Sequence, residues 1–166
     1  MIFVTVGTQL PFPRMIAAVV DWARARGRTD LFIQHAGDDS DLAGIPNAGF
    51  IDAETAARLL AESDLVMGHA GMGTILSCLE LGKPCIIMPR LASLGEHRNE
   101  HQSATARRFE KRGGITVAWK ESDIADLLDR AGSLTSGGGI SPFAAPELVA
   151  AVRDFVWQGR TPRAIR

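Results

Sequence analysis

The chain has 166 residues, of which 46% are hydrophobic and 22% charged, and these proportions exclude an intrinsically disordered protein, a collagen-like repeat and a coiled coil. A chain of this length supports one domain with one core. Its 18 basic and 19 acidic residues give a formal charge of -1, without the basic excess that non-specific nucleic-acid binding needs, so we expect no nucleic-acid partner.

Hydrophobic patterning predicts strands that alternate with helices. A continuous β-branched and aromatic run at residues 2–6 predicts a buried strand that stops at Gly7, and apolar residues at helical spacing from Met15 to Ala23 predict a helix ended by Gly27. The same criteria predict strands at 31–34, 48–51, 64–67, 85–88 and 115–119, and helices at 52–60, 71–81, 99–112 and 122–131 with Asp52 and Ser122 as N-caps. This alternation predicts an α/β, Rossmann-like parallel sheet with helices on both faces.

The C-terminal part is predicted to end in a helix and a tail. Residues 137–139 are predicted to form a flexible glycine loop, and Pro146 to begin an amphipathic helix that packs back on the domain. The apolar side chains of this helix are Leu148, Val149, Val152, Phe155 and Val156. The domain then spans residues 1–158, and residues 159–166 are predicted to be a basic, disordered tail.

The two cysteines and the apolar runs indicate a compartment. Cys78 and Cys85 have apolar neighbours and no CxxC spacing, which favours buried thiols in a cytoplasmic protein. The first seven residues lack the features of a secretory signal. The longest apolar run, at 84–89, is far shorter than the roughly 20 residues of a membrane-spanning helix. We therefore expect any membrane contact to be peripheral or through a partner.

The loop at residues 69–74, His-Ala-Gly-Met-Gly-Thr, is the strongest candidate for ligand binding, because doubly wound sheets bind ligands beyond the carboxyl ends of their strands. Gly71 and Gly73 would let the backbone approach a ligand. The N–H groups at the start of the following helix attract a phosphate or diphosphate, and the Thr74 hydroxyl is a further donor. For His69, both a ligand contact and a purely structural role are open.

This loop does not fit the dinucleotide-binding fingerprint. Leu76 stands where GxGxxG has its third glycine, and the following strand offers no acidic residue to hold a ribose. A Rossmann-like oxidoreductase that uses NAD is therefore disfavoured.

A polar segment at residues 95–102 forms a second candidate region. Within it, His97 to His101 fits the HxxEH pattern of inverted zinc peptidases. Those enzymes need a further protein ligand and a larger scaffold, and here the pattern lies across a loop-to-helix junction, so ligand contacts are favoured over zinc and over a solvated face. The acidic run at 38–41 is interpreted as a turn rather than a DxD metal motif, and no metal or cofactor is expected.

Several ordered motifs together resemble the donor-binding, C-terminal domain of family 28 glycosyltransferases. They are residues 63–76, 80–84, Pro89 and 99–102, and the opening 3–8 is similar to the stand-alone subunits of bacterial exopolysaccharide and dolichol-linked N-acetylglucosamine transferases. The resemblance covers roughly residues 1–130. It implies the C-terminal half of a GT-B glycosyltransferase, with UDP-sugar binding in this chain. It also implies that a membrane-associated partner subunit binds a lipid-linked saccharide acceptor at the inner face of the membrane.

The resemblance implies a role for each matching residue. The donor diphosphate would be bound by Gly71, Met72, Gly73 and Thr74, with His69 as the catalytic candidate beside it. The sugar would be faced by Asn99 and Gln102, and the floor of the cleft would be lined by Gly7 and Thr8. Family members often carry a ribose-binding glutamate at the position of Ser77. Glu80, one turn later, either compensates or is a surface residue.

The implied reaction is a metal-independent, inverting transfer in which backbone dipoles stabilise the UDP leaving group. No general base is identified in the sequence, and it could belong to the partner. Glucosyl, glucuronosyl and N-acetylglucosaminyl transfer all remain open. Arg90 or Arg98 would favour glucuronate if either faces the sugar. We favour a role in exopolysaccharide biosynthesis. The alternative to a catalytic subunit is a non-catalytic nucleotide-sugar-binding or regulatory subunit.

Overall fold

A computed structural model describes residues 1–38, 41–42, 44–137 and 139–158. The described strands are β1 (Ile2–Thr5), β2 (Leu31–Gln34), β3 (Asn47–Ala48), β4 (Leu65–His69), β5 (Cys85–Met88) and β6 (Ile115–Val117). The described α-helices are α1 (Pro13–Arg26), α2 (Ala53–Glu62), α3 (Met72–Glu80), α4 (His101–Phe109), α5 (Ser122–Asp129) and α6 (Pro146–Gln158).

The strands form one sheet in the order β3-β2-β1-β4-β5-β6, and every neighbouring pair is parallel. The chain runs outward from β1 to β3 and then returns to the other side of β1 as β4. The strand order therefore reverses between β1 and β4, and a crevice opens beyond their carboxyl ends at such a point. The loops that follow β1 and β4 meet there.

Helices cover both faces of the sheet, as the alternation predicts. Ile2 and Val4 of β1 belong to the core cluster that α1 and α5 complete, whereas Phe3 belongs to the cluster completed by α2, α3 and α4. All four residues of β1 and of β5 are buried, which explains their continuous apolar sequences. The predicted α/β, Rossmann-like class is confirmed.

Helix caps agree with the sequence at one position and disagree at another. The Asp52 side chain accepts the Thr55 N–H at 2.7 Å, so the predicted N-cap of α2 is confirmed. Ser122 as N-cap is wrong: α5 begins at Ser122, and its N-cap is Glu121, for which the described residues provide no side-chain cap bond. Asp123 instead accepts the two backbone N–H groups just before the helix, those at residues 119 and 120.

Some predicted elements are shorter than their sequence patterns. β3 has two residues rather than four, and β6 has three rather than five. The helix predicted at 99–112 spans only His101–Phe109, because the polar residues before it form turns and Glu110 is already its C-cap.

The prediction that the last helix packs back on the domain is wrong for its apolar face. Its five predicted apolar side chains are 47% to 65% exposed, whereas Ala150 and Ala151 are partly buried. Gly138 and the predicted tail at 159–166 lie outside the described residues. Across the described ranges, no helix is long and apolar enough to cross a membrane.

Candidate functional site

A cavity of about 350 Å³ opens beyond the carboxyl ends of β1, β4 and β5. The loops after β1 and β4 form two of its sides, and Arg90, His97, His101 and Gln102 complete it. We call it the polar cavity. Most of the predicted site residues line it together: Gly7, Thr8, His69, Gly71, Met72, Gly73, Thr74 and Gln102.

A second cavity of about 350 Å³ lies beside the first, between β1, α2 and α3. It shares Gly7, Thr8, Gly73 and Thr74 with the polar cavity, so the two cavities meet at the two glycine loops. Its remaining lining includes Ser77 and a largely apolar set that the sequence analysis did not single out: Phe3, Ile51, Ala53, Ala56 and Leu60. We call it the apolar cavity.

The start of α3 lies where the two cavities meet. Gly71 is the N-cap residue of this helix, and within the described residues no side chain caps it. The first N–H groups of an α-helix have no intrahelical partner, and the helix dipole makes this end positive. The backbone at residues 72–74 therefore offers an anion-binding end to both cavities.

Two predicted site residues do not join this group. Glu80 is the exposed last residue of α3, about 9 Å along the helix axis from Thr74, and Asn99 lies in the turn before α4. Neither is among the described residues that line the two cavities. The Asn99 side-chain oxygen instead accepts the His101 backbone N–H at 3.2 Å and contacts the Nδ1 of the same residue.

The His69 ring lies between the two glycine loops. A Cβ added to Gly7 would come within 2.6 Å of the ring Cε1, and a Cβ added to Gly71 within 2.2 Å of Nε2. Gly7 also has a φ of +79°, in the region that favours glycine. Contact with the His69 ring therefore explains the glycine at position 71 more directly than the approach of a ligand does. At Gly73 a Cβ would meet no described atom within 4 Å, so this position is open.

Burial keeps the His69 ring neutral at pH 7. Desolvation, followed by the charges of Arg90 and His97, lowers its pKa from 6.5 to about 4. Its Nδ1 is buried and has no hydrogen-bond partner among the described residues. The ring is therefore suited to hydrogen bonding rather than to pairing with phosphate as a cation.

Arg90, two residues after the end of β5, is a buried residue whose role the sequence analysis missed. It is 2% exposed, and its guanidinium donates to the backbone carbonyls of Val6, Leu10 and Pro11 at 3.0, 2.6 and 2.6 Å. Its guanidinium carbon lies 4.5 Å from the centre of the Phe12 ring. Three of its five N–H donors thus bind the protein, which argues against the expectation that Arg90 recognises a sugar carboxylate. Arg98 is exposed.

The HxxEH segment does not adopt the geometry of a zinc peptidase helix. His97 precedes α4, whereas His101 begins it, and the two rings make an edge contact with centroids 4.4 Å apart. The Glu100 carboxylate accepts the Ala92 N–H at 2.8 Å and the Ser103 hydroxyl at 3.1 Å. In the part of the chain that the structure describes, no cluster of three or more His, Cys, Asp or Glu residues could hold a metal ion. Residues 39–40 of the acidic run lie outside that part.

Comparison with known families decides the relationship. The sequence pattern of the glycosyltransferase family 28 C-terminal domain matches residues 1–135, most of the chain. The chain belongs to this family. The resemblance carried by the loop and strand motifs is thereby confirmed, and the sheet is the Rossmann-like fold of the C-terminal domains of GT-B glycosyltransferases.

A relative from Clostridioides difficile agrees with this assignment. The chain is 40% identical over 68 residues to a Clostridioides difficile (strain 630) UDP-N-acetylglucosamine--N-acetylmuramyl-(pentapeptide) pyrophosphoryl-undecaprenol N-acetylglucosamine transferase. The match spans 40% of this chain and 16% of that relative.

Two solved structures share the family 28 fold. The solution structure of ALG13 superposes with a TM-score of 0.57 at 21% identity, over 91% of this chain and 93% of ALG13. The crystal structure of the glycotransferase of kitacinnamycin superposes with a TM-score of 0.58 at 19% identity, over 80% of this chain and 34% of that protein. This family 28 chain therefore spans nearly the whole of one neighbour and about a third of the other.

Proposed function

We propose that this chain is the UDP-sugar-binding catalytic subunit of a two-component, inverting glycosyltransferase acting on a lipid-linked acceptor. The observation that carries the proposal is the open N-terminus of α3 at the junction of two cavities, in a family 28 domain. UDP is the first nucleotide to test, because the Clostridioides difficile relative is named for a UDP-sugar donor.

The two cavities suit different parts of such a donor. The diphosphate lies at the N-terminus of α3, where backbone N–H groups and the helix dipole stabilise negative charge. The nucleoside occupies the apolar cavity, in which Ile51 and Leu60 contact the base and the Ser77 hydroxyl is available to the ribose. The sugar occupies the polar cavity.

Gln102 is the best-placed sugar contact in the polar cavity. It is 4% exposed, and its Oε1 accepts the Arg90 backbone N–H at 3.0 Å. This bond fixes the side-chain amide, so its NH₂ group is the part that donates to a sugar hydroxyl. His69 is the catalytic candidate in the same cavity, where its neutral ring contacts the sugar or the phosphate next to it.

The acceptor side of the reaction is assigned to a partner subunit. The described residues that line the polar cavity include no carboxylate, and His69, with a pKa of about 4, is a weak base at neutral pH. Of the other two histidines of the cavity, His97 also has a lowered pKa, mainly through desolvation, and His101 contacts Asn99 and the His97 ring. A general base must lie within hydrogen-bond reach of the acceptor hydroxyl. We therefore assign the base, the acceptor site and the membrane attachment to the partner, which would hold this chain at the inner face of the membrane.

The exposed apolar face of α6 is a second argument for a partner subunit. Its five apolar side chains form one stripe along the helix, and they are 47% to 65% exposed. Soluble monomers rarely leave a continuous apolar surface uncovered, so such a stripe is suited to a protein interface.

We propose exopolysaccharide assembly as the biological setting, with transfer of a glucosyl, glucuronosyl or N-acetylglucosaminyl group.

A non-catalytic, nucleotide-sugar-binding or regulatory subunit is the second candidate. The absence of a carboxylate among the described residues of the polar cavity favours it. His69→Ala in the reconstituted pair separates the two functions: a fall in transfer with donor affinity unchanged supports a catalytic role. Unchanged transfer supports the regulatory role.

Calorimetric titration of the purified chain with UDP, UDP-sugars and NAD, without added metal, tests the donor site. We expect UDP to bind, and Gly73→Val to weaken binding at least tenfold because its side chain fills open space at the start of α3. Gly132→Val is the matched control, since Gly132 is equally open and lies in the turn after α5. Equal UDP affinity in Gly73→Val and the wild type contradicts the diphosphate assignment, and binding of NAD but not UDP contradicts the proposed function.

A further inference from the structure

We propose that Arg90 is a positioning residue that holds the β1–α1 loop, residues 6–12, in the shape the donor site needs. The inference rests on the proposed function for its effect on ligand affinity, whereas the arrangement of the loop stands on its own contacts. Three backbone carbonyls of one loop converge on one side chain, those of Val6, Leu10 and Pro11. Arg90 lies about 80 residues further along the chain.

The loop has little else to hold its middle part. Residues 8–11 are exposed, and the buried residues Val6 and Phe12 lie at the two ends of the loop. The Arg90 guanidinium lies over the Phe12 ring and reaches one carbonyl before the exposed part, that of Val6, and two within it, those of Leu10 and Pro11. If the guanidinium is removed, these carbonyls lose their partner, and a buried unsatisfied carbonyl costs free energy unless the loop moves to reach water.

A second buried side chain fixes only the beginning of the loop. The Gln34 amide donates to the carbonyl of Gly7 at 3.0 Å and to that of Gly49 at 2.8 Å. The Thr5 hydroxyl accepts the Gly7 N–H at 3.2 Å and donates to Gln34 at 2.7 Å. Gly7 is therefore held from two directions, and the shape of the rest of the loop depends on Arg90.

Arg90 also connects the loop to the opposite side of the polar cavity. Its backbone N–H binds Gln102, the proposed sugar contact, while its side chain binds the loop that lines the diphosphate position. Among the described residues, no carboxylate forms a hydrogen bond or ion pair with the guanidinium. The positive charge of the guanidinium is therefore stabilised by the dipoles of backbone carbonyls and not by a carboxylate. The guanidinium lies beside the polar cavity, close to the position proposed for an anionic ligand.

Backbone NMR order parameters and UDP titration of the full chain test this role. Arg90→Met removes the charge and the donors while keeping an elongated side chain against Phe12. Arg90→Lys keeps the charge but has a single nitrogen in place of the fork that serves three carbonyls. Arg108→Met is the matched control, because Arg108 is exposed on α4.

We expect Arg90→Met to lower the backbone order parameters of residues 8–10 from about 0.85, typical of a rigid backbone, to below about 0.6, with those of the sheet unchanged, and to bind UDP at least tenfold more weakly. Arg90→Lys should fall between the wild type and Arg90→Met, and Arg108→Met should match the wild type. Unchanged order parameters at residues 8–10 in Arg90→Met overturn the proposal. Lower order parameters throughout the sheet, or loss of cooperative melting in both Arg90 variants, also overturn it by assigning Arg90 to folding.

Two further outcomes are informative. Full recovery of the order parameters and of affinity in Arg90→Lys would assign the effect to charge alone and would overturn the three-carbonyl arrangement. If the wild type does not bind UDP, the proposed function fails, but the order parameters of residues 8–10 still decide whether Arg90 holds the loop. The two failures are therefore distinguishable.

Discussion

Protonation of His69 should destabilise the fold in a defined pH window. Burial lowers the pKa of this ring in the folded chain from 6.5 to about 4, so between these values the unfolded chain binds the proton more tightly. The free energy of unfolding is therefore unaffected by this titration above pH 6.5, and it decreases as the pH falls from 6.5 towards 4. At about 1.4 kcal/mol per pKa unit, the loss amounts to about 3 kcal/mol.

Urea denaturation of the wild type and of His69→Gln at a series of pH values between 7 and 4 measures this loss. Carboxyl groups with lowered pKa values, such as Asp30, titrate in both proteins, so the difference between the two curves isolates His69. We expect the wild type to lose about 3 kcal/mol more than the variant over this range. Parallel curves, or an NMR titration midpoint of His69 above 6 in the folded chain, would refute the reasoning.

Three further substitutions test the packing. Gly71→Ala places a Cβ 2.2 Å from the His69 ring and should lower the free energy of unfolding by about 1 to 3 kcal/mol, whereas Gly73→Ala should not; equal melting temperatures would contradict this. Glu96→Gln removes the carboxylate that pairs with Arg14 at 2.7 and 2.8 Å and should cost about 2 kcal/mol in urea denaturation, a change under about 0.5 kcal/mol being the contrary result. Val152→Asp, on the exposed face of α6, should change the stability of the isolated chain by less than about 0.5 kcal/mol, and a loss of several kcal/mol would show that this face is buried in the domain.

The sequence predicts the architecture well because short, continuous β-branched runs and helical apolar spacing are local signals. The strands at 31–34 and 85–88 have the predicted bounds, and the parallel sheet follows from their alternation with helices. The strand order could not be predicted in this way, because hydrophobic periodicity does not determine that β1 pairs with β4. That pairing brings the two glycine loops together.

Other features were beyond sequence reasoning because they depend on distant contacts. Amphipathicity shows that α6 has an apolar face, but it does not say whether the domain or another protein covers it. The glycine at position 71 carried a local signal, yet the contact that requires it comes from the ring of His69. Nothing in the spacing around Arg90 indicates that its guanidinium reaches carbonyls in the first loop. Most of the candidate site residues nevertheless line one cavity, because they follow strands whose carboxyl ends share one edge of the sheet.

On the proposed two-component function, the electrostatics of the site explain why this domain alone would bind a donor without completing a transfer. The groups offered to a diphosphate are the first backbone N–H groups of α3, equivalent to about half a positive charge, with Arg90 buried nearby. Such dipoles act weakly in an open, hydrated cavity and strongly where water is excluded. A partner that closes over the polar cavity would therefore strengthen the stabilisation of the leaving group and would also bring the general base. Donor affinity should accordingly be higher in the complete pair than in this chain alone.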